Sequence, residues 1–191
     1  VNDYLKEGIA HTLDETRNLS DSGQFEDISL QQGIRQILYP YEEMEVLNPE
    51  WEVILKDIID SLFEQMSDEE YNILNEEFGT YMVSRAYEYR QLLEYLVFRY
   101  FAKSIYDYDF LGKCQMLVTN FFVIRQMDII RWLDNHREYS FKDRMDVVHI
   151  FSRQVEYSED NIENLYEDFI FDDIFKTDSL IAILWIDSEN I

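Results

Sequence analysis

The sequence predicts an all-α protein, a helical bundle of about seven to eight helices with two long antiparallel central helices. Three observations lead there. Glycine occurs 5 times and proline 2 times in 191 residues, and no Asn-Gly or Asp-Gly lies between alternating apolar runs. β-Hairpins therefore lack the turn chemistry that closes them. Apolar residues recur at spacings of three and four, and Ser, Asn or Thr stands just ahead of several of these runs as a helix cap would.

Taken in order, Tyr4, Leu5, Ile9 and Leu13 share one helical face, and the stretch "LSDSGQFED" interrupts it. Residues 1–27 thus read as an N-terminal helical arm and loop, and 28–191 as the bundle, expected to be the C-terminal half of a longer protein. A short helix from about Ser29 to Leu38 should stop before Pro40. Asn48 as N-cap, Pro49 at the first helical position and the acids Glu50 and Glu52 in the first turn open the next helix. Its buried face is Trp51, Ile54, Leu55, Ile58, Leu62 and Phe63. Ser67 with Glu70 forms a capping box, and Gly79 is placed to end that helix. The two long helices follow, from about Met82 to Tyr106 and from about Phe110 to Asn135, with "YDYD" as their turn. Ser140 with Asp143, Ser158 and Thr177 cap the last three.

Composition narrows the function classes. At 47% hydrophobic, a chain of 191 residues builds a core without disulfides or metals. Cys114 is the single cysteine, so no disulfide within the chain, zinc CxxC site or cysteine-ligated cluster can be assembled from it. The uncharged run Cys114 to Ile124 is far short of the ~20 residues a membrane span needs. The start "VNDYLKEG" has no signal-peptide character. The expected setting is the cytoplasm.

Net charge is −24 and uneven: residues 41–80 hold one cation against 13 acids and 156–191 one against 11, whereas 81–155 hold 11 cations against nine acids. Acidic flanks repel nucleic acid and anionic lipid, so neither is an expected partner.

The chemical candidates sit in the central part. Arg85, Tyr89, Leu92, Leu96, Arg99 and Lys103 form one stripe of the first long helix. Leu117, Phe121, Ile124, Asp128 and Trp132 form a stripe of the second. Antiparallel packing would bring Arg99 to Asp128 as an ion pair at the rim of the core. Alternatively Arg99, Lys103, Arg125 and Arg131 line a cleft where an acidic group of a partner docks. The whole stretch "EYLVFRYFAKSIYDYDFLGKCQ" is expected to be core along most of its length. His149 follows Asp146 at a metal-site spacing, but no Glu-x-x-His occurs to complete such a site. Neither a Gly-x-Ser-x-Gly turn nor a phosphate-cradling glycine loop is present.

Four blocks, "MEVLNPEWEVIL", "YLVFRYFAKSIYDYDFLGKCQMLV", "RQMDIIRWL" and "HIFSRQVEYSEDNIENL", together resemble the C-terminal half of the bacterial flagellin lysine-N-methylase family. The resemblance covers roughly residues 40 to 165. It implies methylation of flagellin lysines from S-adenosylmethionine, with a Cys-rich segment holding a metal or iron–sulfur centre in an N-terminal half. No cofactor is implied for this part. The residues matching the family blocks are Arg99, Tyr100, Lys103, Asp107, Lys113, Arg125, Arg131, Ser152, Arg153, Glu156, Ser158 and Glu159. Tyr157 departs from the His expected there.

The resemblance implies a domain that engages flagellin or a similar lysine-bearing protein, or supports its own N-terminal domain, and is inactive alone. The rival reading is a noncatalytic acidic module that binds a basic protein.

Overall fold

The computed structural model describes residues 28–189; the expected arm over 1–27 lies outside them. The described residues contain helices and no strand. In chain order the helices are α1 (Leu30–Glu42), α2 (Pro49–Ile58), α3 (Asp68–Met82), α4 (Ala86–Phe101), α5 (Ser104–Asp107), α6 (Phe110–Asp134), α7 (Phe141–Phe151), α8 (Glu159–Phe171) and α9 (Thr177–Glu189). Two of them run on into wider π-helical turns, α2 through Ile59–Glu64 and α7 through Ser152–Glu156.

Asn48, Ser67, Ser140 and Ser158 cap as the sequence predicts, whereas Thr177 is the first residue of α9 itself. The Asn48 side chain accepts from the Glu50 N–H, with Pro49 behind it. Ser67 with Glu70 and Ser140 with Asp143 make complete capping boxes, and Ser158 accepts from Asn161. In the first box, hydrogen bonds from the Ser67 backbone and hydroxyl hold the Glu70 carboxyl below its ordinary value. A depressed folded-state pKa stabilises the fold above the unfolded value and loses that contribution as pH falls. The melting-temperature deficit of Glu70→Ala is therefore expected at pH 7, should begin to shrink as pH drops below about 4.3, the ordinary glutamate value, and should close beneath the depressed folded-state value. An equal deficit at pH 3 would mean the box adds nothing electrostatic.

Two local stop signals are overruled by burial, and one helix start is displaced by a turn. Pro40 does not stop α1, which runs to Glu42 with Pro40 inside it. An internal proline costs ~3 kcal/mol. Burial of Ile37, Leu38 and Tyr41 on the same helix offsets that loss. Gly79 does not end α3; Phe78 and Met82 on either side of it are both buried, and the helix continues to Met82. Beyond Met82 a 3-10 turn, Val83–Arg85, redirects the chain, so α4 begins only at Ala86.

Helix α6 is the axis of the bundle. Every residue from Phe122 to Ile130 is buried, and α6 packs against α1, α2, α4, α7, α8 and α9. A helix buried on all sides has to be surrounded, and its Arg125, Gln126 and Asp128 each find a polar partner there, whereas α4 buries one stripe only, Glu88, Leu92, Leu96 and Tyr100. This corrects the expectation for residues 94–115. Val97, Phe98, Ile105, Tyr106, Tyr108, Phe110 and Leu111 are exposed, because α4 lies at the edge and has no neighbour on its outer side among the described residues.

One loop places the walls of the site described below. Residues 43–48 are pinned by Gln154 of the second π turn, whose amide donates to the Glu45 carbonyl at 2.7 Å and accepts from the Leu47 N–H at 2.9 Å. Asn161 of α8 adds a second pair of bonds to Glu45. The start of α2 is thereby fixed against α7.

Candidate functional site

Asp128 does not meet Arg99. It is fully buried beside Arg144 of α7, which forms its ion pair, and it accepts from the phenols of Tyr139 and, at 2.7 Å, Tyr89. Arg144 also reaches Glu88 at 3.4 Å and lies over the Tyr89 ring, 4.3 Å from its centroid. Arg85 completes the cluster with bonds to Glu88 at 2.8 and 3.0 Å. Complete burial pushes the Asp128 carboxyl up, and Arg144 and the two phenols pull it back.

The reason for the miss is register. In an antiparallel hairpin whose ends meet at Phe101 and Phe110, with ring centroids 5.1 Å apart, Asp128 faces Tyr89. Arg99 stands ten residues further along α4, about 15 Å away.

Arg99 instead faces the second π turn. There Glu156, a buried carboxylate, accepts from Tyr95 at 2.8 Å, Ser152 at 2.7 Å and Tyr100 at 3.4 Å, and lies 3.8 Å from the Arg99 guanidinium. The structure thus brings four sequence-predicted residues, Arg99, Tyr100, Ser152 and Glu156, to one point. Burial first, and the bond to Glu156 second, push the Tyr95 phenol up to about 12. Since π turns of this kind often mark functional positions, the cluster is notable, but its carboxylate is already fully partnered.

The other candidates disperse. Lys113 is buried at the start of α6, 3.0 Å from Asp107, 3.5 Å from Asp109 and 4.2 Å from the centroid of the Tyr166 ring. Burial works to lower its pKa, but Tyr166 and Asp107 outweigh that and hold the ammonium above its usual range. Arg125 is buried on the far side of α6, bonded to Asn75 at 2.9 Å and 3.5 Å from Asp187. Lys103 is exposed beyond α4, Ser158 is a cap, and Glu159 is exposed in the first turn of α8. The expected cleft of Arg99, Lys103, Arg125 and Arg131 is therefore not formed: these four point to four different places.

Arg131 and Arg153, 22 residues apart, do converge. They line one cleft of about 660 Å³ between α2, α6 and α7. Its carboxylates are Glu50 and Asp57 from α2, Asp134 from α6 and Asp146 from α7, with His149 beside them. Asp146 is paired with Lys142. Among the described residues neither guanidinium, nor the carboxylate of Glu50, Asp57 or Asp134, has a hydrogen-bond or ion-pair partner. Sequence reasoning missed Glu50, Asp57 and Asp134 as site residues because acids of this kind occur throughout the chain.

A family model described as the FliB lysine N-methylase C-terminal domain matches residues 1–183. The chain belongs to that family. The match is wider than the 40–165 span of the four blocks and takes in the first forty residues as part of the same unit. No curated protein and no solved structure matches the chain.

Among the described residues of this FliB-type domain the cofactors implied for the full methylase find no matching donor set. Among the described residues no three His, Cys, Asp or Glu side chains converge as metal ligands, and Cys114 stands alone on α6. His149 and Asp146 share the cleft without a third donor placed to close a site. The described glycines, Gly33, Gly79 and Gly112, each lie inside a helix rather than in a donor-binding turn. Among the described residues no helix is long and apolar enough to cross a membrane.

Proposed function

We propose that this FliB-type domain holds a lysine-bearing protein substrate, flagellin or a protein like it, while methyl transfer takes place in the polypeptide that precedes the domain in the family. The observation that carries this reading is the α2–α6–α7 cleft. It is large enough for side chains of a docked segment, and it offers charges of both signs from residues far apart in sequence that make no hydrogen bond or ion pair among the described residues, although Arg131 also feels the charge of Asp143. Glu50 and Asp57 suit a lysine ammonium. Arg131 and Arg153 suit the carbonyls or acids that flank it. The acidic flanks of the chain add a longer-range attraction for a basic surface.

Flagellin is expected to bind the 191-residue chain more weakly as salt rises, because screening shortens the reach of exposed charges to about 8 Å at physiological ionic strength. Exposed pairs are worth about 0.2–1 kcal/mol each, so Glu50→Gln with Asp57→Asn should weaken binding by up to roughly thirtyfold and flatten the salt dependence. Calorimetric titrations at two ionic strengths read both. Binding that is unchanged in the double variant would remove the cleft from substrate recognition. Salt-sensitive binding that persists in the variant would favour the rival acidic module, with attraction spread over the flanks.

A further inference from the structure

The three walls of the α2–α6–α7 cleft share one spacing. Each helix gives four side chains at i, i+3, i+4 and i+7: on α2 they are Glu50, Val53, Ile54 and Asp57, and the stripes on α6 and α7 begin at Met127 and Asp146. At 1.5 Å per residue a stripe is about 10 Å long.

The packing places the charges at the ends. The Asn48 N–H donates to the Gln154 side chain at 3.2 Å, and the Trp51 and Phe151 ring centroids are 6.3 Å apart. Helix α2 therefore runs antiparallel to α7, with Glu50 level with Arg153 and Asp57 level with Asp146. Asn135 donates to Asp143 at 3.0 Å, which closes the end of α6 on the start of α7 and brings Asp134 and Arg131 to the Asp57 end. Three carboxylates face one guanidinium there. Flanking residues leave the sign unchanged, since Lys56 is matched by Asp60 and Lys142 by Asp143. Asp146 is bonded to Lys142 and Arg131 feels Asp143, so Asp57 and Asp134 are the acids left to a ligand. Glu50 and Arg153 offset each other at the opposite end, and His149 stands between the two.

The middle of the cleft decides the form of what fits. Its floor is Ile54, Met127, Ile130 and Ile150, with Val53, 60% exposed, above them. All three walls are helical, so their main-chain N–H and C=O groups are spent within the helices. An extended segment laid on this floor would leave its own amides without partners. A helix brings its amides already paired and presents side chains at the spacing of the walls.

We propose that the cleft takes its lysine-bearing partner as an amphipathic helix, with the lysine ammonium at the Asp57 and Asp134 end and an aliphatic side chain, one helical turn from the lysine, on the apolar floor. The inference rests on the reading that this cleft holds the substrate, and adds the conformation and the pair of side chains it reads.

The probes are labelled peptides of about 16 residues built on alanine and glutamine, long enough to be helical in water. The first carries Lys and, four residues on, Leu. The second has Leu moved two residues from Lys, to the far face of the helix, and the third is the first with proline between the two. Fluorescence anisotropy with the 191-residue chain should show the first binding on the order of tenfold more tightly than the others, since an unburied leucine or a helix-breaking proline each forfeits at least that much. Asp57→Asn, at an exposed position that leaves the fold intact, should weaken the first peptide by about two- to fivefold and leave unchanged its version with norleucine for lysine. Equal binding of the first and third peptides would overturn the helical occupant, and equal binding of the first and second would overturn the pair. Binding indifferent to Asp57→Asn, or none by any peptide, would also overturn the proposal. Flagellin titrations of the Glu50→Gln, Asp57→Asn variant answer separately whether the cleft holds substrate, so the two readings fail independently.

Discussion

Arg144→Met is expected to lower stability by about 3–5 kcal/mol, the usual cost of leaving one member of a buried ion pair unpartnered. The variant strands Asp128, fully buried, with only the phenols of Tyr139 and Tyr89 to answer it. Glu88 suffers less, since Arg85 still holds it at 2.8 and 3.0 Å. The double variant Arg144→Met, Asp128→Leu should recover much of the loss, because an apolar pair of similar volume replaces a buried ionic one at little cost. The sum of the single losses should therefore exceed the double loss in a denaturation cycle. Without the guanidinium, burial raises the Asp128 pKa further. A raised folded-state carboxyl pKa favours the fold at low pH and loses that advantage as pH rises through it, so the Arg144→Met deficit should grow from pH 4 to pH 7. Arg99→Met, by contrast, removes a guanidinium about a third exposed and 3.8 Å from Glu156. That change should cost under about 1 kcal/mol. Additive losses, or an Arg99 effect as large as that of Arg144, would contradict this assignment of the ionic centre.

What the sequence disclosed and what it hid follow from the range of the forces involved. Capping is settled within three or four residues, and Asn48, Ser67, Ser140 and Ser158 all act as helix caps where local rules place them. Helix periodicity gave α6 one apolar stripe with Asp128 set into it, but not the burial of the whole run from Phe122 to Ile130. The partner of Asp128 depended on a third helix, α7, which no stripe on α4 or α6 could reveal. A signal for it existed: Arg144, Val147 and Phe151 lie at spacings of three and four, a cation set into an apolar face just as Asp128 is. Counting back from the hairpin turn would also have separated Arg99 from Asp128.

The same limit explains why Phe98, Tyr106 and Tyr108 are exposed. Aromatic residues in a helix read as core until one knows that α4 lies at the edge, and that is a property of the whole bundle. Pro40 and Gly79 err in the opposite direction, where local stop signals yielded to the burial of Tyr41, Phe78 and Met82. At the cleft, Arg131 and Arg153 could be named from the family blocks but not joined. Their meeting depends on how the loop at 43–48 sets α2 against α7.

The chain alone is expected to leave flagellin lysines unmodified in the presence of S-adenosylmethionine, whereas the same chain joined to its preceding polypeptide should methylate them. For a lysine to accept a methyl group its ammonium proton has to go to a base. With an ordinary lysine pKa of about 10.4, only about one amine in a few thousand is neutral at pH 7. A positioned base contributes about 10²–10⁴-fold, and alignment of donor and amine contributes more. The buried carboxylates of the described residues are already engaged: Asp128 with Arg144, Glu88 with Arg85, Glu156 with Tyr95 and Ser152, and Asp187 with Asn75. The acids of the cleft that are free, Glu50, Asp57 and Asp134, are exposed to water and suit holding an ammonium rather than deprotonating it. Mass spectrometry of flagellin after incubation with each form reads the outcome as methyl-sized shifts on lysine. Methylation by the 191-residue chain alone would place the chemistry inside this bundle and reverse the division of roles. None from a folded joined protein that still binds flagellin would leave the domain as an interaction module, with the cleft holding a partner for some other purpose.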